Sequence, residues 1–112
     1  VASTITGSSV TRAGGGAGFN VPSNIPGSDG GGGSSSTPSG DGGDGTTNTG
    51  SGGGGGAGST PRFAGSGGSG VIILRMATSN YSGTTTGSPT VDQSTVSGQT
   101  ILIFNGSGSY TT

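Results

Sequence analysis

Glycine is the residue that most constrains this chain, and it accumulates in a tract that stops abruptly before Val71. Of the 112 residues, 30 are glycine and only 23% are hydrophobic. Ordering a glycine costs more backbone entropy than ordering any other residue, by about 0.5–1 kcal/mol relative to alanine. Apolar side chains alone therefore do not offset the ordering of the whole chain. The tract must be disordered or held by backbone hydrogen bonds, unless a partner subunit supplies the missing core.

The longest part of this tract, residues 27–60, shows neither helical nor strand periodicity. A flexible linker is one interpretation, because glycine and serine chains behave as random coils. The tract lies between two hydrophobic segments of one small domain, which favours an elaborate loop or a packed glycine array. Polyproline-II segments leave their amides free to bond neighbours, and segments without Cβ atoms can approach closely. Collagen, which uses the same conformation, is excluded because the glycine spacing is irregular and proline is scarce.

Two apolar runs after the tract predict the main strands. Four consecutive branched aliphatic residues predict a strand buried on both faces, because a half-buried strand would alternate. The predicted strand residues are Val71, Ile72, Ile73, Leu74 and Arg75 in the first run, and Ile101, Leu102, Ile103 and Phe104 in the second. Within the first run, Arg75 is either an edge charge that reaches water or the partner of a buried aspartate such as Asp92.

Weaker signals complete a chain of strands and turns. They predict two short strands in residues 1–12 joined at Gly7–Ser8, a turn-rich connector over 77–89, a weak edge strand over 90–97, tight turns at Gly98–Gln99 and Asn105–Gly106, and a final strand over 109–112. Phe19, Val21 and Ile25 are expected to anchor a loop to the core. No stretch combines a 3.6-residue apolar period with helix-forming residues, so no helix is expected.

The predicted fold class is therefore all-β, with a small sheet or sandwich enclosing the long glycine-rich tract. We treat residues 1–112 as a single domain. Residues 1–12 form the entry strands, 13–70 the glycine-rich tract, which is irregular or polyproline-II-like, and 71–112 the closing strands and hairpin. The alternative to a complete domain is that these 112 residues are a fragment of a longer chain.

Composition argues against several classes of function. Lysine, glutamate, histidine and cysteine are all absent, so the usual catalytic bases and activated nucleophiles are missing, and we expect no enzyme. Three scattered arginines do not form the basic cluster that nucleic acid requires. Gly65, Gly67 and Gly70 match the dinucleotide-binding pattern, but a strand follows where a helix should begin. No cofactor and no membrane insertion are expected.

Asp41 and Asp44 are the weak candidates for a metal site. Two carboxylates in Asp41-Gly42-Gly43-Asp44 could contribute to a calcium site, but calcium requires six to eight oxygen ligands and this pair is isolated. The favoured interpretation is that each aspartate stabilises a turn through its own backbone. We therefore expect no resident metal.

Three aromatic residues are candidates for contact with a sugar or protein surface: Tyr81, Phe63 and Phe19. The favoured interpretation is that they belong to the core, since the chain has few bulky side chains. Threonine pairs such as those in residues 84–86 also suggest an ice-binding surface, but that chemistry needs a regularly repeated array that is missing here.

Four segments of the sequence together resemble the glycine-rich domains of bacteriophage tail-fibre and related virion proteins. Residues 3–11 (STITGSSVT) leading into 14–18 (GGGAG) resemble the entry to those domains, and 44–56 (DGTTNTGSGGGGG) is similar to their middle. Residues 67–75 (GGSGVIILR) look like their closing signature, and 103–111 (IFNGSGSYT) resembles the aromatic-glycine-aromatic hairpin that often follows. Met76 stands where many relatives have tyrosine, and the strand that commonly precedes the entry segment is missing.

The resemblance implies a structural protein on the virion surface, outside the cell, of the tail-fibre or adhesin type that attaches to a host. It further implies self-association, with a trimer as one candidate form, contact with other virion proteins, and a host surface glycan or outer-membrane protein as the candidate receptor. The main alternative is an architectural subunit that forms fibres or decorates a capsid without binding a receptor. An unpaired apolar strand invites pairing with another chain, so both hypotheses predict an assembly.

Overall fold

The computed structural model describes residues 1–20, 23–36, 40–57 and 61–112, so the predicted anchor Val21 lies outside the described residues. Contacts divide the chain into two compact units. The first, here called the glycine unit, comprises Val1–Ala2 and Thr11–Gly70; the second, the sheet unit, comprises Ser3–Val10 and Val71–Thr112. Most of the glycine-rich tract and the strands after it thus fall in different compact units, and the single domain over residues 1–112 stays a prediction.

Regular secondary structure in the described residues consists of short strands and one 3₁₀ turn at Thr78–Asn80. The strands are β1 (Ala2–Ser3), β2 (Val10–Thr11), β3 (Ile72–Ala77), β4 (Thr84–Thr86), β5 (Thr90–Asp92), β6 (Gln99–Phe104) and β7 (Ser109–Thr111). They form three small sheets, β1-β2, β3-β6-β5 and β4-β7. The all-β class is confirmed, and the short 3₁₀ turn is the one departure from the expected absence of helix.

Strand β6 is the centre of the sheet unit. It pairs antiparallel with β3 on one side and with β5 on the other. Leu102 is 0% exposed and Ile101 is 1% exposed, and Phe104 is also buried. The second apolar run is therefore the buried strand that the sequence predicts.

The first apolar run is an edge strand, which corrects the prediction that Val71 to Leu74 is buried on both faces. The strand β3 starts at Ile72, and it pairs only with β6. Ile72 is 63% exposed, while Ile73 and Leu74 are half-buried. A three-stranded sheet has only one central strand, which here is β6. The strand β3 therefore lies at the edge, although its sequence is about as apolar as that of β6.

The end of the chain also differs from the prediction. Threonines 84–86 form β4 within the expected connector, and β7 pairs with β4 rather than with β6 as a hairpin. Threonine is β-branched and favours an extended strand. The Tyr110 hydroxyl donates to the Asn80 carbonyl at 2.9 Å, and the Tyr81 and Tyr110 rings stack with centroids 5.9 Å apart. These contacts bring β7 to the connector, and β6 is already paired with β3 on one side and with β5 on the other.

The smaller turns follow the prediction with one shift. The amide of Gln99 donates to the Val96 carbonyl at 3.1 Å, and Gly98 has a φ of 71°, as the tight turn requires. Strand β5 lies at the other sheet edge, as expected. The turn between β1 and β2 lies earlier than Gly7–Ser8, because the Gly7 amide donates to the Thr4 carbonyl at 2.9 Å.

The glycine unit is built from six extended segments that run alternately in opposite directions. We number them segment 1 (residues 13–19), 2 (23–28), 3 (32–36), 4 (40–46), 5 (51–57) and 6 (61–69). Amides bond carbonyls of neighbouring segments at intervals of three residues. Thus Gly52 and Gly55 donate to Gly14 and Ala17 of segment 1, and Gly65 and Gly68 donate to Gly54 and Ser51 of segment 5. Three residues is the repeat of a polyproline-II helix.

Segment 5 is the central segment of this unit. It exchanges backbone hydrogen bonds with segments 1, 3, 4 and 6. The buried residues around it are all small: Gly14, Gly33, Ser35, Ser36, Gly45, Ser51, Gly54 and Ala57. Phe19 and Ile25 are 38% and 37% exposed, which corrects the prediction that they anchor a loop to the core. Segments separated by so little side chain leave no interior space for a phenyl ring.

Several glycines in the unit face a carbonyl oxygen of the next segment along the direction where a Cβ would lie. A Cβ on Gly54 would overlap the Ser34 carbonyl, and a Cβ on Gly53 would overlap the Gly65 carbonyl. In glycine this direction carries a hydrogen, so the geometry suits a weak Cα–H···O contact. At Gly18, by contrast, a Cβ would meet nothing within 4 Å.

We predict opposite effects for two matched glycine substitutions. Gly54→Ala forces backbone apart at the centre of the unit and should destabilise it by about 3 kcal/mol, the upper end of typical overpacking costs. Gly18→Ala meets open space and should be neutral or stabilising by about 0.4–1 kcal/mol. Hydrogen exchange of the Gly54 and Gly65 amides measures the effect within the glycine unit. Equal protection in both variants would show that close packing of glycine does not hold the unit together.

Candidate functional site

Because the six segments alternate in direction, one end of each lies at the same end of the glycine unit. We call this end the tip. The tip comprises residues 19–20, 23–25, 35–36, 40–41, 56–57 and 61–63. The opposite end carries the turns at 29–31 and 47–50 and the points where the chain enters and leaves the unit, since Ala13 bonds Thr49 and Gly50 bonds Ser69. The tip is therefore the end of the glycine unit opposite to the points where the chain enters and leaves it.

Two of the three predicted contact residues lie at the tip. Phe63 is 72% exposed, and Phe19 ends segment 1 beside the central segment, where a Cβ on Gly55 would be 2.8 Å from the Phe19 amide nitrogen. The Phe63 backbone is fixed on both sides: its carbonyl accepts from the Gly42 amide at 2.9 Å, and its amide donates to Asp41 at 3.0 Å. The Phe63 backbone is thus held by the array, and both aromatic residues are exposed, Phe63 more than Phe19.

The third large apolar side chain of the tip belongs to Ile25, which the sequence analysis assigned to the core. Its amide donates to the Ser35 hydroxyl at 2.7 Å, and its carbonyl accepts from the Ser35 amide at 2.8 Å. The sequence did contain a signal that Ile25 is exposed. Ile25 lies between two prolines in a tract of small residues, so it has few apolar partners nearby in the sequence.

Tyr81, the remaining contact candidate, belongs to the sheet unit. Its ring stacks on Tyr110 at an interplanar angle of 24°, and it is half-buried. This contact accounts for the residue as part of the packing between β4 and β7. The structure therefore brings Phe19 and Phe63 to one end of the glycine unit and gives Tyr81 a separate, structural environment.

Asp41 and Asp44 bond the backbone of a neighbouring segment. The Asp41 carboxylate accepts from the Phe63 amide at 3.0 Å, and the Asp44 carboxylate accepts from the Ser66 amide at 2.7 Å. Both pairs are 22 residues apart, and both members advance by three residues, which matches the repeat of the segments. The favoured turn role of these aspartates is corrected, because each carboxylate bonds segment 6 rather than its own turn. Among the described residues, no group of three or more potential acidic, histidine or cysteine metal ligands is found.

Arg75 and Asp92 make separate contacts in the sheet unit. The Arg75 guanidinium donates to the Thr4 carbonyl at 3.5 Å, and its side chain is exposed, which fits the edge-charge alternative. The Asp92 carboxylate accepts from the Ser94 and Thr95 amides at 2.9 and 3.0 Å. Hydrogen bonds from the Thr95 hydroxyl, the Thr95 amide and the Ser94 amide hold the pKa of Asp92 well below its ordinary value of 3.8. This carboxylate ends β5 by bending the chain back on itself.

Comparison of the chain with protein-family models, with curated proteins and with solved structures finds no match. In the described residues, no helix has the length and apolar character needed to cross a membrane.

We predict that Asp44→Ala weakens the contact between segments 4 and 6. The Ser66 amide loses its acceptor, so its hydrogen exchange should accelerate and stability should fall by about 0.5–1 kcal/mol, the contribution of a typical hydrogen bond. Asp44→Asn retains a carbonyl acceptor and should lose less. Asp29→Ala removes the same charge from a turn of the same unit and serves as the control. If added Ca²⁺ stabilises the wild type and this gain disappears in Asp44→Ala, the carboxylate instead serves a metal.

Acid should remove part of the stability of the sheet unit through Asp92. Because the folded-state pKa is lowered, this carboxylate contributes stability at pH values above its unfolded pKa. That contribution is lost as the pH falls from about 5 toward 2. Urea unfolding across this range should show a steeper acid loss for the wild type than for Asp92→Asn. Thr95→Ala should move the NMR titration of Asp92 upward and Thr95→Ser should not; an Asp92 titration near 3.8 in the wild type would contradict the assignment.

Proposed function

We propose that the chain is a surface module of a bacteriophage particle, of the tail-fibre or adhesin type, and that the tip of the glycine unit contacts the host. The observation that carries this proposal is the exposure of Phe63 and Phe19 at one end of a unit whose interior contains only small residues. Two of the three phenylalanines in the chain lie there, and unlike Phe104 neither of them is buried. The sequence resemblance to glycine-rich virion domains is the basis for proposing a phage particle and a location outside the cell.

The construction of the tip supports a role in recognition. Exposed aromatic side chains on fixed backbones lose little conformational freedom on binding, and buried aromatic anchors dominate the energetics of protein interfaces. The array fixes these backbones without using their side chains, since Phe63 is held through its amide and carbonyl. The Phe63 side chain can therefore change without loss of these two hydrogen bonds. A glycan or an outer-membrane protein on the host surface is the partner class that we propose.

A second candidate function, an architectural subunit, is favoured by the outer edge of β3. This strand is six residues long, is paired on one side only, and carries Ile72 at 63% exposure. Such an edge pairs readily with a strand of another chain. We propose that it mediates self-association, with other virion proteins as further partners, and that this holds for either function.

Two reciprocal variants separate the functions. Phe63→Ser should lower binding of the labelled full chain to intact bacterial cells by about tenfold or more, because truncating a hot-spot residue costs about 2 kcal/mol or more and about 1.4 kcal/mol is a factor of ten. The same variant should leave the oligomeric state unchanged. Ile72→Ser, on an exposed strand position of the sheet unit, should instead shift sedimentation toward smaller species.

Cell binding that is equal for the wild type and Phe63→Ser would reject the tip as the contact surface. Binding to phage particles but to no strain of a panel that the phage infects would favour the architectural function. Unchanged sedimentation of Ile72→Ser would reject the β3 edge as the surface for self-association. Circular dichroism and hydrogen exchange of the Gly65 amide verify that each variant retains both units.

A further inference from the structure

We propose that the Asn105–Gly106 peptide is a self-modification site, at which the folded protein converts asparagine to aspartate or isoaspartate. This is the only Asn-Gly pair in the sequence. It lies in the bend between β6 and β7. The reaction needs water and no other reactant, and it places a new negative charge in this bend.

The chemistry takes place between two adjacent groups. The backbone nitrogen of Gly106 loses its proton to hydroxide and attacks Cγ of Asn105. The bond from Cγ to the side-chain nitrogen breaks, and the nitrogen leaves as ammonia after taking up a proton. The product is a five-membered cyclic imide. Water adds to one of its two carbonyls and opens the ring, which gives aspartate or isoaspartate at position 105 with no change of oxidation state.

The structure leaves both reacting groups accessible. Asn105 and Gly106 are exposed, and a Cβ on Gly106 would meet nothing within 4 Å, so the ring has space to close. Among the described residues, no hydrogen bond engages the Gly106 amide or the Asn105 side chain. The attacking nitrogen and the carbon that it attacks are therefore free to approach.

Other asparagines in the described residues are held in ways that oppose the same reaction. The amide after Asn24 donates to the Ser35 hydroxyl at 2.7 Å, and the Asn24 side chain donates to the Ser35 carbonyl at 2.7 Å. The amide after Asn80 donates to the Thr78 carbonyl at 3.2 Å. The Asn48 side-chain oxygen accepts from the Ser69 hydroxyl at 3.0 Å.

The product should disturb β7, because the residues after the bend are closely packed. A Cβ on Gly108 would lie 2.5 Å from the Thr86 carbonyl oxygen and 2.8 Å from the Phe104 ring. Isoaspartate adds one carbon to the backbone between Phe104 and Gly108. The bend cannot take up this carbon without moving Gly108 from these neighbours, so the pairing of β7 with β4 weakens.

The test compares each asparagine in the folded chain with the same asparagine in denaturant. The full chain is incubated in mildly alkaline buffer and cleaved with trypsin, and peptides are analysed by mass spectrometry. Cleavage after Arg75 gives residues 76–112, which contain Asn80 as an internal control. We expect Asn105 to react at nearly the same rate in both states, and Asn24 and Asn80 to be slowed by folding roughly tenfold or more, as ordered segments open rarely.

Protection of Asn105 by folding to the extent seen at Asn80 would overturn the proposal. So would an acidic species that accumulates equally in Asn105→Gln, whose longer side chain cannot form the five-membered ring. Gly106→Ala fits the open space and should slow the reaction by hindering the attacking nitrogen. In the aged wild type, the Tyr110 amide should exchange faster than in fresh protein; unchanged exchange would overturn the predicted effect on β7.

Discussion

The backbone hydrogen bond between neighbouring glycine segments is the interaction on which the glycine unit depends. In an ordinary domain, apolar side chains offset the entropy lost by the backbone. Here the buried positions among the described residues of the glycine unit carry only glycine, serine and alanine. The absence of Cβ atoms lets carbonyls such as that of Ser34 lie against the backbone of Gly54, where a side chain would overlap. Ordering glycine thus costs more backbone entropy than ordering any other residue, and glycine is also the only residue that permits this close packing.

This arrangement assigns unusual roles to the polar side chains. Asp41 and Asp44 accept hydrogen bonds from amides of segment 6 that would otherwise face solvent, and they do so at the three-residue repeat of the segments. A serine or threonine side chain is too short to reach as far as an aspartate at the same position. Carboxylates here extend the backbone network beyond the reach of the carbonyls, so a pair that resembles a metal site in sequence acts as part of the scaffold.

The sequence predicted the two strong strands, and it predicted that the glycine tract is either disordered or held by backbone hydrogen bonds. It did not predict how the strands and the segments of the tract are arranged. The runs around Ile73 and Leu102 are almost equally apolar, so composition could not reveal that β6 is central and β3 is an edge. The partner of β7 was equally hidden, because it depends on the contacts of Tyr110 with Asn80 and Tyr81. Within the tract the repeat of three is invisible, since glycine also occupies a few positions that do not require it, such as Gly18 and Gly70.

The candidate site follows from the same separation between backbone and side chain. Phe63 could be identified from sequence as unusual, but its exposure depends on a unit that has no room for a phenyl ring. The array uses the Phe63 amide and carbonyl and leaves the ring exposed, so the scaffold and the exposed ring depend on different atoms of one residue. The Phe63 ring can therefore change while the packed glycines, Gly53 and Gly54 among them, stay fixed by sterics. The same backbone array can thus carry different side chains at this position.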